Sequence, residues 1–229
     1  MLFVFAIGDK YTKASASTRV QSCLAGICGK TTCNTGKKQG PCGEIPGHYL
    51  CRMRKLSMDE LGRKSVAEFR QSEKIPIIVV LENIRSAYNI GSVFRTSDAF
   101  LVEAIYIIGY SAQPPHKEIK KTALGAEDTV QWQHFATTAE AIVELKAKGY
   151  SVFAVEQAEN SISLEQFSLT QPVAFIFGNE KAGVEQDTIH LCDGCIEIPQ
   201  LGMKHSLNIA TAAGVVLWEL VRKRLLEAS

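Results

Sequence analysis

What this chain lacks narrows it first. No apolar run approaches the roughly 18 residues that a membrane-crossing helix needs, and the opening Leu2–Ile7 stretch is too short for a secretory segment, so a cytoplasmic protein is expected. Charge of one sign is missing as well: 25 Lys and Arg stand against 24 Asp and Glu, so bulk charge gives no reason to expect a polyanionic partner. The five histidines (His48, His116, His134, His190, His205) are scattered and no HExxH helix exists, so no metal site is expected. There is no GxSxG elbow for a nucleophilic serine.

Nucleotide signatures are absent too. Gly178 to Gly183 has the glycine spacing of a phosphate loop, but Val184-Glu185 stands where Lys-Ser/Thr is required and Glu180 would repel a phosphate. Gly29-Lys-Thr31 has the right ending, yet Leu24 takes the place of the first glycine. No G-x-G-x-x-G follows an apolar run, which removes a dinucleotide-binding Rossmann domain. Seven cysteines make an odd total without a secretion signal, so a disulfide framework is not expected, and Cys23, Cys28, Cys33, Cys42 and Cys51 lack the close pairs of a zinc site. Cys192-Asp-Gly-Cys195 is read as incidental thiols.

What is present suits one globular domain with an appendage: 229 residues, 46% of them hydrophobic. Residues 1–75 hold 13 basic against 6 acidic side chains, and residues 76–229 hold 12 against 18, so the neutral total hides a basic front. Residues 1–52 are rich in Gly, Ser, Thr, Lys and Cys without periodicity, and are expected to form an extension that adds little core, with Met53 or Met58 as the natural start. An N-terminal helix is expected within 53–74, opened by the Ser57-Met-Asp-Glu60 capping box and continued through Leu61–Gln71.

From residue 75 to the end at 229 the texture is that of an α/β domain. Short apolar runs, Ile77–Leu81, Ala104–Ile108, Ser151–Val155, Val173–Phe177 and Ile196–Ile198, read as strands of a parallel sheet flanked by helices, because an unbroken β-branched run suits a strand buried on both faces. Thr137-Thr-Ala-Glu140 caps a helix that ends near Gly149, and Leu207–Leu226 reads as a C-terminal helix. Ligands of such sheets gather beyond the carboxyl ends of the strands. There lie three polar, glycine-bearing segments, read as loops: Glu82 to Arg95, Gly178 to Gly183, and Pro199 to Asn208.

Within those segments stand Asn89-x-Gly-x-x-x-Arg95, then Gly178-Asn-Glu180-x-x-Gly183, then Ile198-Pro-x-x-Gly-x-x-x-Ser206-Leu-Asn208. In order and spacing they resemble the three motifs of the SpoU/TrmH-type RNA 2′-O-ribose methyltransferases, a likeness covering about residues 75–226. The resemblance implies a C-terminal trefoil knot, S-adenosylmethionine as cofactor, a homodimer, and tRNA or rRNA as substrate. It assigns Arg95 to the 2′-hydroxyl, Asn89 to the substrate side and Glu180 to a buttress that pairs with Arg95. Ser206 and Asn208 join them in the catalytic set, while Val155, Gly178, Gly183, Ile198 and Leu207 grip the cofactor.

The residue chemistry leaves alternatives open. A guanidinium with pKa above about 12 is a poor base, so Arg95 either assists deprotonation or orients a phosphate and stabilises the developing alkoxide. Asn89 also suits a turn, Glu180 a helix N-terminus, and Ser206 and Asn208 helix caps. Lys117, Lys120 and Lys121, in the run Pro114–Ala126, are either an RNA-backbone contact or a solvated charge cluster, which Arg52, Arg54, Lys55, Arg63, Lys64 and Arg70 would extend. Two other functions share the pattern: a non-catalytic RNA-binding relative, and a methyltransferase with a different acceptor atom.

Overall fold

Seven strands, all paired in parallel, make one sheet in the order β3-β2-β1-β6-β4-β7-β5. They are β1 (Ile75–Glu82), β2 (Val102–Ile108), β3 (Gln131–Phe135), β4 (Ser151–Val155), β5 (Ile162–Ser163), β6 (Val173–Phe177) and β7 (Gly194–Glu197). The computed structural model describes residues 54–227 apart from 58, 63, 169, 170 and 204. The expected extension 1–52 and the two alternatives for the natural start, Met53 and Met58, lie outside the described residues, as do Arg52 and Arg63.

Strand β1 explains why the apolar runs are unbroken. Ile77, Val79 and Leu81 enter one core, while Ile78 and Val80 enter the other, on the opposite face of the sheet. The first core is closed by α2 (Ala87–Ala99), α3 (Lys117–Ala123) and α7 (Ile209–Glu227), which contribute Ile90, Phe94, Ile119, Leu217 and Leu220. The second is closed by α5 (Thr138–Ala147), which brings Ile142 and Leu145, and by Val184 and Ile189 around α6 (Gln186–Leu191). Phe175, at the centre of β6, is fully buried, and truncating such a ring costs about 3–5 kcal/mol.

Two expectations are corrected. The N-terminal helix is α1, Val66–Gln71, and its capping box is Ser65 with Glu68, not Ser57 with Glu60. Among the described residues near Ser57 there is a 3₁₀ turn at Asp59–Leu61, with the Ser57 N–H on the Glu60 carboxylate (2.8 Å) and with Gly62 after it at φ +56°. Leu56, Leu61 and Val66 are exposed, so no apolar partner carries a longer helix here. Second, most of the Glu82–Arg95 segment is helix α2, so Asn89 and Arg95 stand on a helix and not in a loop. The Pro114–Ala126 run contains helix α3, which turns into the short α4 (Ala126–Thr129) through Leu124 and Gly125, both at positive φ.

Strands β3 and β5 are additions. Both lie at sheet edges, where β3 alternates exposed and covered residues with Gln131, Gln133 and His134 among them, so no continuous apolar run marks it. The helix after Thr137 holds its capping box with Glu140 and ends before Gly149 at φ +82°. Among the described residues no helix is long and apolar enough to cross a membrane.

Candidate active site

A cleft of about 670 Å³ opens beyond the carboxyl ends of β4, β6 and β7, three neighbours in the sheet. Its wall includes all five residues expected to grip a cofactor, Val155, Gly178, Gly183, Ile198 and Leu207, together with Glu180 and Ser206. The two glycines have separate physical causes. A Cβ on Gly178 would sit 2.1 Å from the Gly183 carbonyl carbon, because the Gly178–Gly183 loop folds back on itself through paired Asn179–Gly183 backbone hydrogen bonds. Gly183 has φ +72°, and a Cβ there would meet the Glu156 carboxylate at 2.3 Å.

Glu156 is a part of this wall that spacing does not reveal. It follows β4, and its carboxylate accepts the Val184 N–H (3.1 Å) and the Gln157 N–H (3.0 Å), tying the loop after β4 to the end of the glycine loop. Its only signal in the sequence is an acid immediately after an apolar run. Glu82 carries the same signal after β1. It is 1% exposed, and its carboxylate accepts from the hydroxyls of Thr138 and Thr188 and from the Glu185 N–H (3.0 Å).

The three motif segments meet at one side of the cleft. Glu180 accepts the Arg85 N–H (3.0 Å) and the Ser86 N–H (3.1 Å) at the start of α2, and the Asn89 side-chain amide (3.0 Å). Asn89 in turn accepts through its side-chain oxygen from the Asn208 side-chain amide at 3.1 Å, and Asn208 Oδ1 caps α7 by accepting the Ala210 N–H (3.0 Å). Burial works to raise the Glu180 pKa, but these donors outweigh it and hold the carboxyl below the ordinary carboxylate value. The capping alternative describes Asn208, whereas Glu180 lies outside the first turn of α6 and instead accepts the two backbone N–H groups that lead into α2. Ser206 lies on the cleft wall two residues before the cap.

Arg95 is not the partner of Glu180. The carboxylate is filled by N–H donors, and Arg95 is exposed without an ion pair or hydrogen bond among the described residues. A rise of about 1.5 Å per residue puts it about 9 Å along α2 from Asn89, outside the cleft wall. On the same outer face of α2 stand Tyr88 and Ser92, and Lys121 from α3 lies 5.9 Å from the Tyr88 ring centre. Lys117, Lys120 and Lys121 are all exposed on α3. The helices approach closely because of Gly91, where a Cβ would meet Thr122 Oγ1 at 2.1 Å and the Ile119 carbonyl oxygen at 2.4 Å. The motif glycine is thus a packing device.

Cys192 and Cys195 are inert thiols by environment. Burial, with neighbouring acids, pushes the Cys192 thiol up to about 12, and burial likewise raises Cys195, so neither presents a thiolate at neutral pH.

Comparison with known proteins points one way. The SpoU rRNA Methylase family matches residues 76–218. A tRNA (guanosine(18)-2′-O)-methyltransferase of Thermus thermophilus is 32% identical over 166 residues, covering 72% of this chain and 84% of that protein. The Escherichia coli enzyme of the same name is 26% identical, covering 69% of each. Among solved structures, the TrmH/SpoU tRNA modifying enzyme of A. aeolicus matches with TM-score 0.63 and 26% identity, over 70% of this chain and 80% of that one. The AdoMet-bound rRNA methyltransferase of Sinorhizobium meliloti matches with TM-score 0.62 and 28% identity, over 69% of this chain and 60% of that one.

Proposed function

The chain belongs to the SpoU rRNA methylase family, and we propose from that premise that it transfers the methyl group of S-adenosylmethionine to a ribose 2′-hydroxyl of tRNA or rRNA. The observation that carries this is the hydrogen-bonded line Glu180–Asn89–Asn208 beside the cleft, which joins three segments far apart in sequence. Transfer RNA and ribosomal RNA are both substrates named for the relatives.

The cleft suits the cofactor. Its volume falls within the usual range of small-molecule sites. Val155, Phe177, Ile198 and Leu207 offer apolar surface and peptide groups to an adenosine, while on the rest of the wall Glu156, Glu159, Glu180 and Glu197 outnumber the cation Lys181, which suits a positive ligand. When bound, S-adenosylmethionine supplies a methyl group activated by its sulfonium centre. The chain's own task is to orient a ribose hydroxyl in line with that methyl and to manage one proton.

Asn89 spends its amide on Glu180 and its carbonyl on Asn208, so it acts as a positioning residue that locks α2 to the other two segments. Arg95, free of protein partners among the described residues, is available to an RNA phosphate and to the developing alkoxide. Its charge stabilises that alkoxide better than a guanidinium could abstract the proton. Its place outside the cleft wall supports a homodimer in which Arg95 of one copy serves the cleft of the other. The exposed apolar residues Val215, Trp218 and Leu225 along α7 support the same assembly.

The knot is supported by the segment 198–208, which shares the cleft with the loops after β4 and β6, and by the Gln157 amide on the His205 carbonyl (3.0 Å). An RNA substrate suits a cytoplasmic enzyme. Mapping ribose methylation in RNA from a strain lacking this gene against its parent tests the function. One absent 2′-O-methyl mark, restored by the wild-type gene and not by Arg95→Ala, is expected, and an unchanged map refutes it.

A further inference from the structure

Tyr110 follows β2 and is 65% exposed, yet the turn that carries it is fixed from every side. Gly109 N–H donates to the Phe135 carbonyl (3.0 Å), and His134 Nε2 lies 3.0 Å from the Gly109 carbonyl oxygen. The next residue, Ser111, is buried; its hydroxyl accepts the Ile84 N–H (2.7 Å) and donates towards the Ile108 carbonyl (2.8 Å). Gly109 itself takes φ +64°, and a Cβ there would meet the Asn83 side-chain oxygen at 2.1 Å. The phenol oxygen accepts from Asn179 Nδ2 at 2.8 Å, and Asn179 also donates to the Asn83 carbonyl (2.8 Å). An apolar ring is thus held out into solvent by a rigid turn and anchored to the residue immediately before Glu180.

Two basic residues stand on the segments tied to this turn through Asn179 and Asn83. Arg85, whose backbone N–H is bound to Glu180, and Lys181, which follows Glu180, both have exposed side chains without an ion pair among the described residues. An exposed aromatic ring on segments that also carry exposed basic side chains has the chemistry that binds unpaired nucleotides: the ring stacks on a base and the cations meet the phosphates. A packing role would bury the ring, and a purely polar anchor for Asn179 would not need one.

We propose that Tyr110 is the stacking platform for an unpaired base of the RNA substrate, beside the edge of the cleft formed by Asn179 and Glu180, with Arg85 and Lys181 on its phosphates. This rests on the RNA methyltransferase function proposed above. It also requires the base to be unpaired, since a duplex keeps its base faces stacked inside.

The test uses the full chain and a fluorescein-labelled, guanosine-containing hairpin RNA with an open loop, alongside a blunt duplex of the same stem. Tyr110→Ala is expected to weaken hairpin binding roughly 5- to 150-fold, the worth of one base–aromatic stack. Its duplex affinity should match wild type, and its calorimetric S-adenosylmethionine affinity should match that of Tyr110→Phe, which loses the same hydroxyl bond to Asn179 on the cleft wall; this also shows that the variant is folded. Tyr110→Phe, which keeps the ring, should restore most of the hairpin affinity. Wild-type hairpin binding with Tyr110→Ala at equal affinity overturns this proposal alone. A wild-type chain that neither binds nor methylates RNA overturns the function and this proposal with it.

Discussion

Glu180→Gln is the substitution that the site's geometry addresses most sharply. The carboxylate accepts three N–H groups, at 3.0, 3.1 and 3.0 Å, two of them from the first backbone groups before α2. An amide keeps one acceptor oxygen and turns two N–H donors towards donors already there, so at least one of the three bonds is lost. A hydrogen bond to a charged group is worth about 1.5–3 kcal/mol, and a charge at a helix N-terminus adds about 0.3–1 kcal/mol. Solvent at this surface position screens both, so the expected loss is about 1–3 kcal/mol. For a domain of this size that lowers Tm by about 2–12 °C.

The pH dependence fixes the cause. The folded pKa of Glu180 lies below its ordinary value of 4.5, so its contribution is present in full above that value and fades as pH falls through the folded pKa. The gap in Tm between wild type and Glu180→Gln should therefore be largest near neutral pH and narrow below about pH 4.5. Scanning calorimetry across that range is the assay. Equal Tm values at pH 7, or a gap that persists unchanged at low pH, would refute the reasoning, because the loss would then not arise from the charged acceptor.

Other consequences follow from single side chains. Gly91→Ala should lower Tm through a loss of about 1–3 kcal/mol, since α3 must shift off α2 to clear the Ile119 carbonyl oxygen; thermal melting measures it. Arg95→Ala should lower the methylation rate at least about 100-fold while leaving calorimetric S-adenosylmethionine affinity unchanged, because Arg95 lies outside the cleft wall. Replacing Lys117, Lys120 and Lys121 together with Gln should weaken RNA binding and flatten its salt dependence by up to about 0.7 per lost phosphate contact, read from binding titrations at several salt concentrations. Cys192 and Cys195 should resist alkylation at neutral pH in the folded chain and react on unfolding, as peptide-resolved mass mapping would record.

The sheet is legible where a strand is covered on both sides and illegible at its edges. Runs such as Ile77–Leu81 and Val173–Phe177 announce themselves because each residue enters one of two cores. Strand β3 has a polar side and β5 only two residues, so neither leaves a pattern. The site residues are legible as types and spacings, but their partners are not. Nothing local says that Glu180 binds the start of α2 across 95 residues in place of Arg95, or that Gly91 exists to let a second helix approach. Helix α2 is hidden because its first five residues include Tyr88, Asn89 and Gly91, residues that also suit a loop. Ser57 and Ser65 offer two capping boxes in succession, and only the second leads into a helix with a buried residue, Phe69.

The most direct measurement of the central claim is methyl transfer from radiolabelled S-adenosylmethionine to unmodified tRNA and rRNA transcripts by the purified chain, followed by alkaline hydrolysis. A methyl on a ribose 2′-hydroxyl blocks cleavage of the adjacent phosphodiester. Label recovered in alkali-resistant dinucleotides is the predicted result. Label in mononucleotides would place the methyl on a base, and no label in either RNA would contradict the methyltransferase function itself.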